Sequence, residues 1–283
     1  MPFLPLRTIP APGNASVADA WLERIEDRLN STGTDVASDR ALLCRETLAE
    51  LCFPEYAANW ETAVSDEKLP MGTRLALSAV DPRNITLEPE YYADCDDSLF
   101  QPVKPLLWLW YSFDRSPLAG QNVWLGVELR RLLAKHIFKR CGENFKAFHN
   151  VEFSFGYQME VGDNVVVHRN VLLDDRGGIV LGNNVSISDY ANIYSHTHSI
   201  VDQRDVTNAT TVIDDGVRVT YHATVLAGVH VNEQGMVGAM AVATKDVRPY
   251  HVYVGIPAKS VRVKPNAPAS VNILRTSSDR ESK

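Results

Sequence analysis

The sequence predicts a mainly β protein, in which a parallel β-helix over residues 145–264 follows a mostly helical region over residues 1–144. Three observations support this prediction: a six-residue repeat in the second half, a change near residue 145 to strand-forming residues with frequent Gly and Asn, and helical spacing of apolar residues before that point. A polar tail over residues 265–283 follows and is expected to be loose.

The repeat places an aliphatic residue at every sixth position, with a small or β-branched residue four places later. Five hexads (VGDNVV, VHRNVL, LGNNVS, ISDYAN and IYSHTH) begin at Val161, Val167, Leu181, Ile187 and Ile193, and five more (IDDGVR, VTYHAT, VLAGVH, VNEQGM and VGAMAV) run in step from Ile213 to Val242. Three such hexads close one triangular coil, and the leading residue points into its interior. An ordinary β-sandwich, the alternative, predicts a period of two rather than six.

Two breaks interrupt the register of the repeat. A short one covers residues 174–179, and a longer one covers residues 199–212. The longer break is polar and contains Asp202, Gln203, Arg204, Asp205 and Asn208. Because a polar excursion of this length from a solenoid usually carries function or contacts a partner, we expect one of these roles for it.

The N-terminal half contains a helical pattern that begins at Ser16 and two further helical patterns. One covers residues 38–52, with Ser38 or Asp39 as its N-cap, and the other covers residues 124–140, with Gly142 as its C-cap. The second pattern has an apolar face and a basic face. It predicts either a packing helix with a solvated basic face or a helix that lies on a membrane surface.

Composition narrows the classes of protein to consider. The chain has 283 residues and a formal net charge of -7, which argues against a nucleic-acid partner, since phosphate binding needs a dense basic surface. No apolar run approaches the ~20 residues of a membrane helix, and the N-terminus lacks a secretory signal, so the sequence predicts a cytoplasmic protein. Four cysteines without a CxxC pair predict reduced thiols rather than disulfides or a zinc site: Cys44, Cys52, Cys95 and Cys141.

Four stretches of the second half resemble the hexapeptide-repeat acetyltransferases, in particular the maltose, galactoside and nodulation O-acetyltransferase group. They are VGDNVVVHRNVLLDD from Val161, NIYSHTHS from Asn192, VGAMAVATKDV from Val237 and VGIPAKSVR from Val254. The Thr-Lys-Asp triplet followed by Gly-x-Pro-Ala-Lys is specific to this group among hexapeptide proteins. The resemblance covers residues 161–262 and implies a left-handed parallel β-helix, a homotrimer, and acetyl-CoA in a groove between neighbouring prisms.

The resemblance also implies roles for individual residues. His198, at the end of the NIYSHTH segment, is implied as the general base, and Ser199 stands where the family usually has proline. Six residues on matching positions are implied to hold acetyl-CoA: Tyr221, Ala239, Thr244, Lys245, Lys259 and Arg262. One departure is Met240, which replaces a glycine of the family's Gly-Ala-Gly in the last coils.

The chemistry of acetyl transfer supports a histidine at this position. A base must take the acceptor proton as the hydroxyl oxygen attacks the thioester, and imidazole suits this because its ordinary pKa is ~6.5. The repeat region has no cysteine and no Gly-x-Ser-x-Gly elbow, which favours direct transfer over a covalent intermediate. Five residues are candidates for orienting the base or binding the acceptor: His168, Asp174, Asp175, Asp189 and His196. For His196, the alternative is a surface or trimer-interface residue.

We therefore predict an acetyl-CoA-dependent O-acetyltransferase that needs no metal and acts on a hydroxyl of a sugar or a sugar-bearing natural product. Three alternatives stay open: an N-acetyltransferase of an amino sugar, a non-catalytic β-helix scaffold, and a zinc enzyme like the γ-class carbonic anhydrases, which share this prism. The zinc enzymes have a His-x4-His pair, whereas His222 and His230 here are eight positions apart.

Overall fold

The computed structural model describes residues 8–116 and 122–273, so the first residues of the N-terminal region and residues 274–283 of the predicted tail lie outside the described residues. The N-terminal helices are α1 (Ser16–Asn30), α2 (Val36–Cys52), α3 (Trp60–Ser65), α4 (Met71–Ala79), α5 (Asp97–Phe100), α6 (Lys104–Arg115) and α7 (Val123–Ile137). Short 3-10 helices lie at Ala57–Asn59, Pro82–Asn84 and Glu88–Tyr91, and α8 (Ala269–Ile273) follows the β region.

Two helix ends differ from the sequence prediction. The side chain of Asp35 accepts a hydrogen bond from the Ser38 amide (3.1 Å), so Asp35 is the N-cap of α2 and the helix begins two residues early. Phe138 is the C-cap of α7, so the predicted Gly142 cap is wrong. Gly142 lies instead in the first turn of the β region, where an added Cβ would lie 2.5 Å from the backbone of the next coil.

The basic face of α7 is partly buried rather than solvated. The guanidinium of Arg130 donates to Asp114 Oδ1 (Nε, 2.9 Å) and to the Ala147 carbonyl (Nη1, 3.1 Å). Asp114 Oδ2 accepts a further hydrogen bond from the Asn150 amide (2.8 Å). Because Arg130 and Asp114 are both buried, the pair joins α6 and α7 to the first coil, and α7 is a packing helix.

The strands of the second half form three faces. The first face contains β1 (Arg140–Cys141), β4 (Met159–Val161), β7 (Ile179–Leu181), β12 (Thr211–Ile213) and β15 (His230–Val231). The second contains β2 (Lys146–Ala147), β5 (Val166–Val167), β8 (Ser186–Ile187), β13 (Arg218–Val219), β16 (Met236–Val237) and β18 (His251–Val254), with β19 (Lys259–Val263) antiparallel to β18. The third contains β3 (Glu152–Phe153), β6 (Leu172–Asp174), β9 (Asn192–Tyr194), β14 (Thr224–Val225) and β17 (Val242–Ala243). A hairpin of β10 (His196–His198) and β11 (Val206–Asn208) leaves the prism after β9.

The three faces make a triangular prism, because consecutive strands lie on different faces and each pairs in parallel with the strand one coil away. This confirms the predicted parallel β-helix. The aliphatic residues that lead the quoted hexads are all fully buried in its interior. Their burial is the main stabilising term, at roughly 1.5–3 kcal/mol for each such side chain.

One edge of the prism, which we call the regular corner, joins the second face to the third. Each coil turns there through one residue in the left-handed region, with φ between 53° and 62°: Asn150, Asn170, Tyr190, His222 and Met240. Asparagine tolerates this conformation, but the other side chains are strained by it. Contacts between coils offset that strain, as the ring centroids of Tyr190 and His222 lie 4.8 Å apart.

The edge that joins the third face to the first is irregular, and we call it the hairpin corner. Parallel partners are 20 positions apart in the early coils (Met159 and Ile179), 32 apart across the hairpin (Ile179 and Thr211) and 18 apart afterwards (Val212 and His230). A coil of three hexads has 18 residues. The early coils therefore have two residues more than this, and the coil that contains the hairpin has fourteen more. Both breaks seen in the sequence therefore stack at one corner.

Candidate active site

The hairpin places two histidines beside the prism. His196 lies opposite Asn208 and His198 lies opposite Val206 in the antiparallel pair. The two imidazole rings meet edge to face, with their centroids 5.2 Å apart. His196 and His198 both lie on β10, so the strand that carries them belongs to the hairpin rather than to a coil.

His198 is exposed and is oriented by a backbone group. Its Nδ1–H donates to the carbonyl of Gln203 (2.6 Å), which leaves Nε2 as the ring atom able to accept a proton. The sequence prediction looked for a carboxylate in this role. A carbonyl partner could not be found from residue types, since every residue has one, and the turn that brings it close is fixed by hairpin geometry.

Asp174 instead orients His196. Its buried carboxylate accepts a hydrogen bond from His196 Nδ1 and another from the Ser154 hydroxyl (2.6 Å). His196 is partly buried, with 17% of its side chain exposed. An imidazole held by a buried carboxylate is the arrangement used in acid–base and metal sites, so His196 has a defined chemical environment and is more than an exposed surface residue.

Asp175 lies next to this pair and is fully buried. Its carboxylate accepts hydrogen bonds from the backbone amides of Phe155 (2.7 Å) and Gln158 (3.1 Å), which hold the turn of the preceding coil. Burial raises the pKa of Asp175 to about 6, against the lowering effect of these backbone donors. These contacts indicate that Asp175 has a structural role, in which it holds two successive coils together at the hairpin corner.

The structure places the other two predicted residues at the regular corner, away from the hairpin. The carboxylate of Asp189 accepts a hydrogen bond from Arg169 (3.2 Å), and the ring of His168 stacks on Phe148 with centroids 5.0 Å apart. Burial lowers the pKa of His168. Within one chain these residues do not come together with His198, and their role in the acceptor site stays a prediction.

A residue of the helical region holds the hairpin in place. The Asp94 carboxylate accepts hydrogen bonds from the buried Arg176 guanidinium (2.9 Å) and from Asn208 Nδ2 (2.9 Å), while Arg176 lies over the ring of Tyr92 at 4.2 Å. Burial raises the pKa of Asp94, but the hydrogen bonds from Asn208 and Arg176 outweigh it, and the pKa is below its ordinary value. No local pattern predicts this contact, because it joins segments 114 positions apart.

His196 and His198 line two different spaces. His196 lines a cavity of about 440 Å³ between α6 and the third face. His198 lines an open groove of about 1030 Å³ along the hairpin. Tyr92 and Arg176 line both spaces and form the wall between them.

The residues predicted to hold acetyl-CoA are all exposed and lie in the last coils. Tyr221 and Ala239 lie at the regular corner in consecutive coils. The Met240 amide of one coil donates to the Tyr221 carbonyl of the coil before it (2.9 Å). Thr244 and Lys245 lie at the same corner as the hairpin, and the turn before Lys259 bonds to the backbone of Val242. Three of these residues have exposed basic side chains, which can bind the phosphate groups of a ligand: Lys245, Lys259 and Arg262.

Comparison with known proteins agrees with this architecture. No family model matches the chain. It is 27% identical over 140 residues to the galactoside O-acetyltransferase of Escherichia coli, covering 48% of this chain and 69% of that protein. A Staphylococcus aureus protein, described by its name as an acetyltransferase, is 30% identical over 137 residues, covering 47% of this chain and 69% of the relative. The chain belongs to the hexapeptide-repeat acetyltransferases.

Solved structures extend the comparison to the fold of this acetyltransferase. A maltose O-acetyltransferase from Clostridium difficile aligns with a TM-score of 0.53 at 23% identity, covering 61% of this chain and 91% of the other. A galactoside acetyltransferase in complex with coenzyme A aligns with a TM-score of 0.52, and a Vibrio cholerae hexapeptide-repeat acetyltransferase complexed with acetyl coenzyme A with a TM-score of 0.51. The predicted left-handed β-helix and the assignment to the acyltransferases are both confirmed.

The described ranges contain neither a cluster of metal-binding side chains nor a helix that could cross a membrane. Within residues 8–116 and 122–273, no three His, Cys, Asp or Glu side chains are grouped so that they could hold a metal ion. Over the same two ranges, no helix has the length and apolar character needed to cross a membrane.

Proposed function

We propose that this acetyltransferase moves an acetyl group from acetyl-CoA to a hydroxyl of a sugar or sugar-bearing small molecule, with His198 as the general base. The observation that carries the proposal is the hydrogen bond from His198 Nδ1 to the Gln203 carbonyl. This bond fixes the tautomer in which Nε2 is unprotonated and can accept a proton. The names of the relatives, galactoside and maltose O-acetyltransferases, support a sugar hydroxyl as the acceptor.

The reaction follows from that tautomer. His198 Nε2 accepts the hydroxyl proton while the acceptor oxygen bonds to the carbonyl carbon of the acetyl thioester. The C–S bond then breaks, and the imidazolium returns its proton to the leaving thiolate, so that the products are an O-acetyl ester and free CoA. Backbone N–H groups near the site supply hydrogen bonds for the negative charge that develops on the thioester oxygen.

In this proposal, the groove that holds acetyl-CoA is built from two copies of the chain. Thr244 and Lys245 lie on the hairpin corner, whereas Tyr221 and Ala239 lie on the regular corner, at the other edge of the third face. A neighbouring prism that packs against this face brings one copy's hairpin corner to another copy's regular corner. We therefore propose a homotrimer in which each groove is built from two chains.

His196 is a second candidate for the base. The Asp174 carboxylate accepts the hydrogen bond from Nδ1, which holds the ring and leaves Nε2 as the nitrogen that can accept a proton. His198→Asn and His196→Asn separate the two candidates, because each asparagine keeps a hydrogen-bonding side chain but cannot accept the proton. Turnover lost only in the His198 variant supports the proposal, and turnover lost only in the His196 variant moves the base to His196.

The activity itself is tested by free-CoA release with matched acceptors. We expect acetyl-CoA-dependent turnover with galactosides or maltosides, and less with the corresponding amino sugars. Faster turnover of the amino sugars would favour N-acetylation. Absence of acetyl-CoA binding by a well-folded chain would favour a non-catalytic scaffold and contradict the proposal.

A further inference from the structure

The hairpin that carries His198 is a weak element by itself. Its strands, β10 and β11, have three residues each and form a two-stranded sheet that is separate from the three faces of the prism. Two residues of each strand are exposed, and His198 is one of them. Because an isolated two-stranded hairpin is marginally stable, the ring of a base on such a strand needs contacts that lead back to the rigid prism.

The prism holds the chain at the start of β10. The fully buried hydroxyl of Ser195 donates to the Asp174 carbonyl (2.5 Å) and accepts from the Gly177 amide (2.7 Å). The Ser195 carbonyl accepts from the Ala209 amide (2.8 Å), on the other side of the hairpin base. The chain is therefore fixed at the residue directly before His196.

The ring of His196 connects the prism to the ring of His198. Asp174, which is 2% exposed, accepts a hydrogen bond from His196 Nδ1 and is held in turn by the Ser154 hydroxyl (2.6 Å). The same His196 ring meets that of His198 at a centroid distance of 5.2 Å and an interplanar angle of 81°. Rings in this edge-to-face arrangement attract each other, so a chain of contacts runs from the buried carboxylate to the exposed imidazole.

The hydrogen bond to the Gln203 carbonyl does not by itself fix the ring of His198. It holds one atom, Nδ1, and Gln203 lies in the exposed part of the same hairpin. The torsion that turns a histidine ring is broad, so a ring held at one atom still rotates and moves its Nε2. The His196 ring limits this rotation, because the edge-to-face contact is lost when the His198 ring turns.

We propose that His196 is a positioning residue: its ring, held by Asp174, fixes the ring of His198 in the orientation in which Nε2 takes the acceptor proton. This inference rests on the proposed function for the role of His198 as base, but the fixed ring is a separate property. In this role His196 transfers no proton and contacts no acceptor, which distinguishes it from the second candidate base described above.

Two substitutions separate the ring of His196 from its nitrogen atoms. His196→Phe keeps a ring, whereas His196→Gln keeps a hydrogen-bond donor for Asp174 but has no ring. We expect kcat to fall about threefold to tenfold in His196→Gln, the effect of one lost aromatic contact, and to stay within about twofold of wild type in His196→Phe. The KM values for acetyl-CoA and for the acceptor should not change. The matched control is His230→Gln, because His230 Nε2 is also hydrogen-bonded to a carboxylate, that of Asp214 (2.7 Å), but on the first face.

Three kinetic results would overturn the inference. A loss of ~10²–10⁴-fold in His196→Phe would make His196 the base, since phenylalanine cannot accept a proton. A raised acceptor KM in His196→Gln, with kcat unchanged, would make His196 a residue that binds the acceptor. Equal kcat in His196→Gln and His230→Gln would show that the ring contact does not matter for turnover.

The ring of His198 is also observed directly, by NMR of the ring nitrogens in protein with isotope-labelled histidine and without acetyl-CoA. Measurement at about pH 8 keeps imidazole neutral, and His198→Asn identifies the His198 signals by their loss. We expect the Nδ1–H tautomer alone in wild type and in His196→Phe, and a mixture of tautomers in His196→Gln. This result together with a fully active His198→Asn protein would keep the fixed ring and overturn only the proposed base. An unchanged His198 signal in His196→Gln would overturn the inference and leave acetyl transfer by His198 standing.

Discussion

The regular corner and the hairpin corner are built from the same repeat but differ in what fills them. At the regular corner each coil turns tightly, and side chains such as Tyr190 and His222 stack on one another. At the hairpin corner the extra residues bring buried polar groups together, including Asp174, Asp175 and Arg176. The comparison indicates that the repeat supplies a rigid frame and that the departures from the repeat hold the two histidines and the buried carboxylates of the candidate site.

Glycine exchange at the hairpin corner should have the largest effect on stability. Gly177 lies under the base of the hairpin, where an added Cβ would lie 2.2 Å from the Ser195 carbonyl oxygen and 2.6 Å from the Ala209 nitrogen. Because backbone atoms cannot move aside cheaply, Gly177→Ala should lower the free energy of unfolding by ~3 kcal/mol and reduce turnover. Urea unfolding measures the change. Gly72→Ala on α4, where nothing lies within 4 Å, is the control and should not destabilise the chain.

Asp175 should make the stability of the hairpin corner depend on pH. Burial raises its pKa to about 6, above the ordinary value of 3.8. The protonated form is therefore favoured by folding, and its stabilising contribution is complete below about pH 4 and lost as the pH rises through 6. Relative to Asp175→Asn, the wild type should lose ~3 kcal/mol of unfolding free energy between about pH 4 and pH 7. A constant difference across this range would contradict the assignment.

Asp94 should affect turnover more than global stability, because it fixes the hairpin rather than the core. Asp94→Asn removes the charge that pairs with Arg176 and weakens the link to Asn208. We expect kcat to fall about tenfold, through poorer orientation of the hairpin histidines. Asp97→Asn, at an exposed acid of the same segment, serves as the control. Equal kcat in both variants would show that the contacts of Asp94 with Arg176 and Asn208 do not position the site.

At the regular corner, replacing a residue by glycine should stabilise the chain, and the change in the free energy of unfolding should be small. Met240 has φ of 61° and is 63% exposed, so its side chain adds strain and buries little surface. Met240→Gly should raise the free energy of unfolding by up to ~1 kcal/mol. Thermal unfolding at one pH measures this, and a destabilised variant would mean that the methionine packs against a neighbour.

The parts of the molecule that depend on local pattern could be predicted from the sequence, and the parts that depend on long-range contacts could not. The hexads identify buried positions such as Val161 and Ile213, because a period of six fixes which side chains point inward. The burial of Arg130 against Asp114 was missed, since a basic helix face is usually solvated. The pairing of Asp174 with His196 depends on how two breaks in the repeat stack, which their positions along the chain do not reveal.

The most direct test of the central claim compares one histidine at each corner. His198→Asn removes the proposed base from the hairpin corner, and His149→Asn makes the same exchange at the regular corner. We expect kcat for acetyl transfer to fall by ~10²–10⁴-fold in the first variant and to stay within about twofold of wild type in the second, with acetyl-CoA binding retained in both. A His198→Asn protein that binds acetyl-CoA and turns over at the wild-type rate would contradict the account.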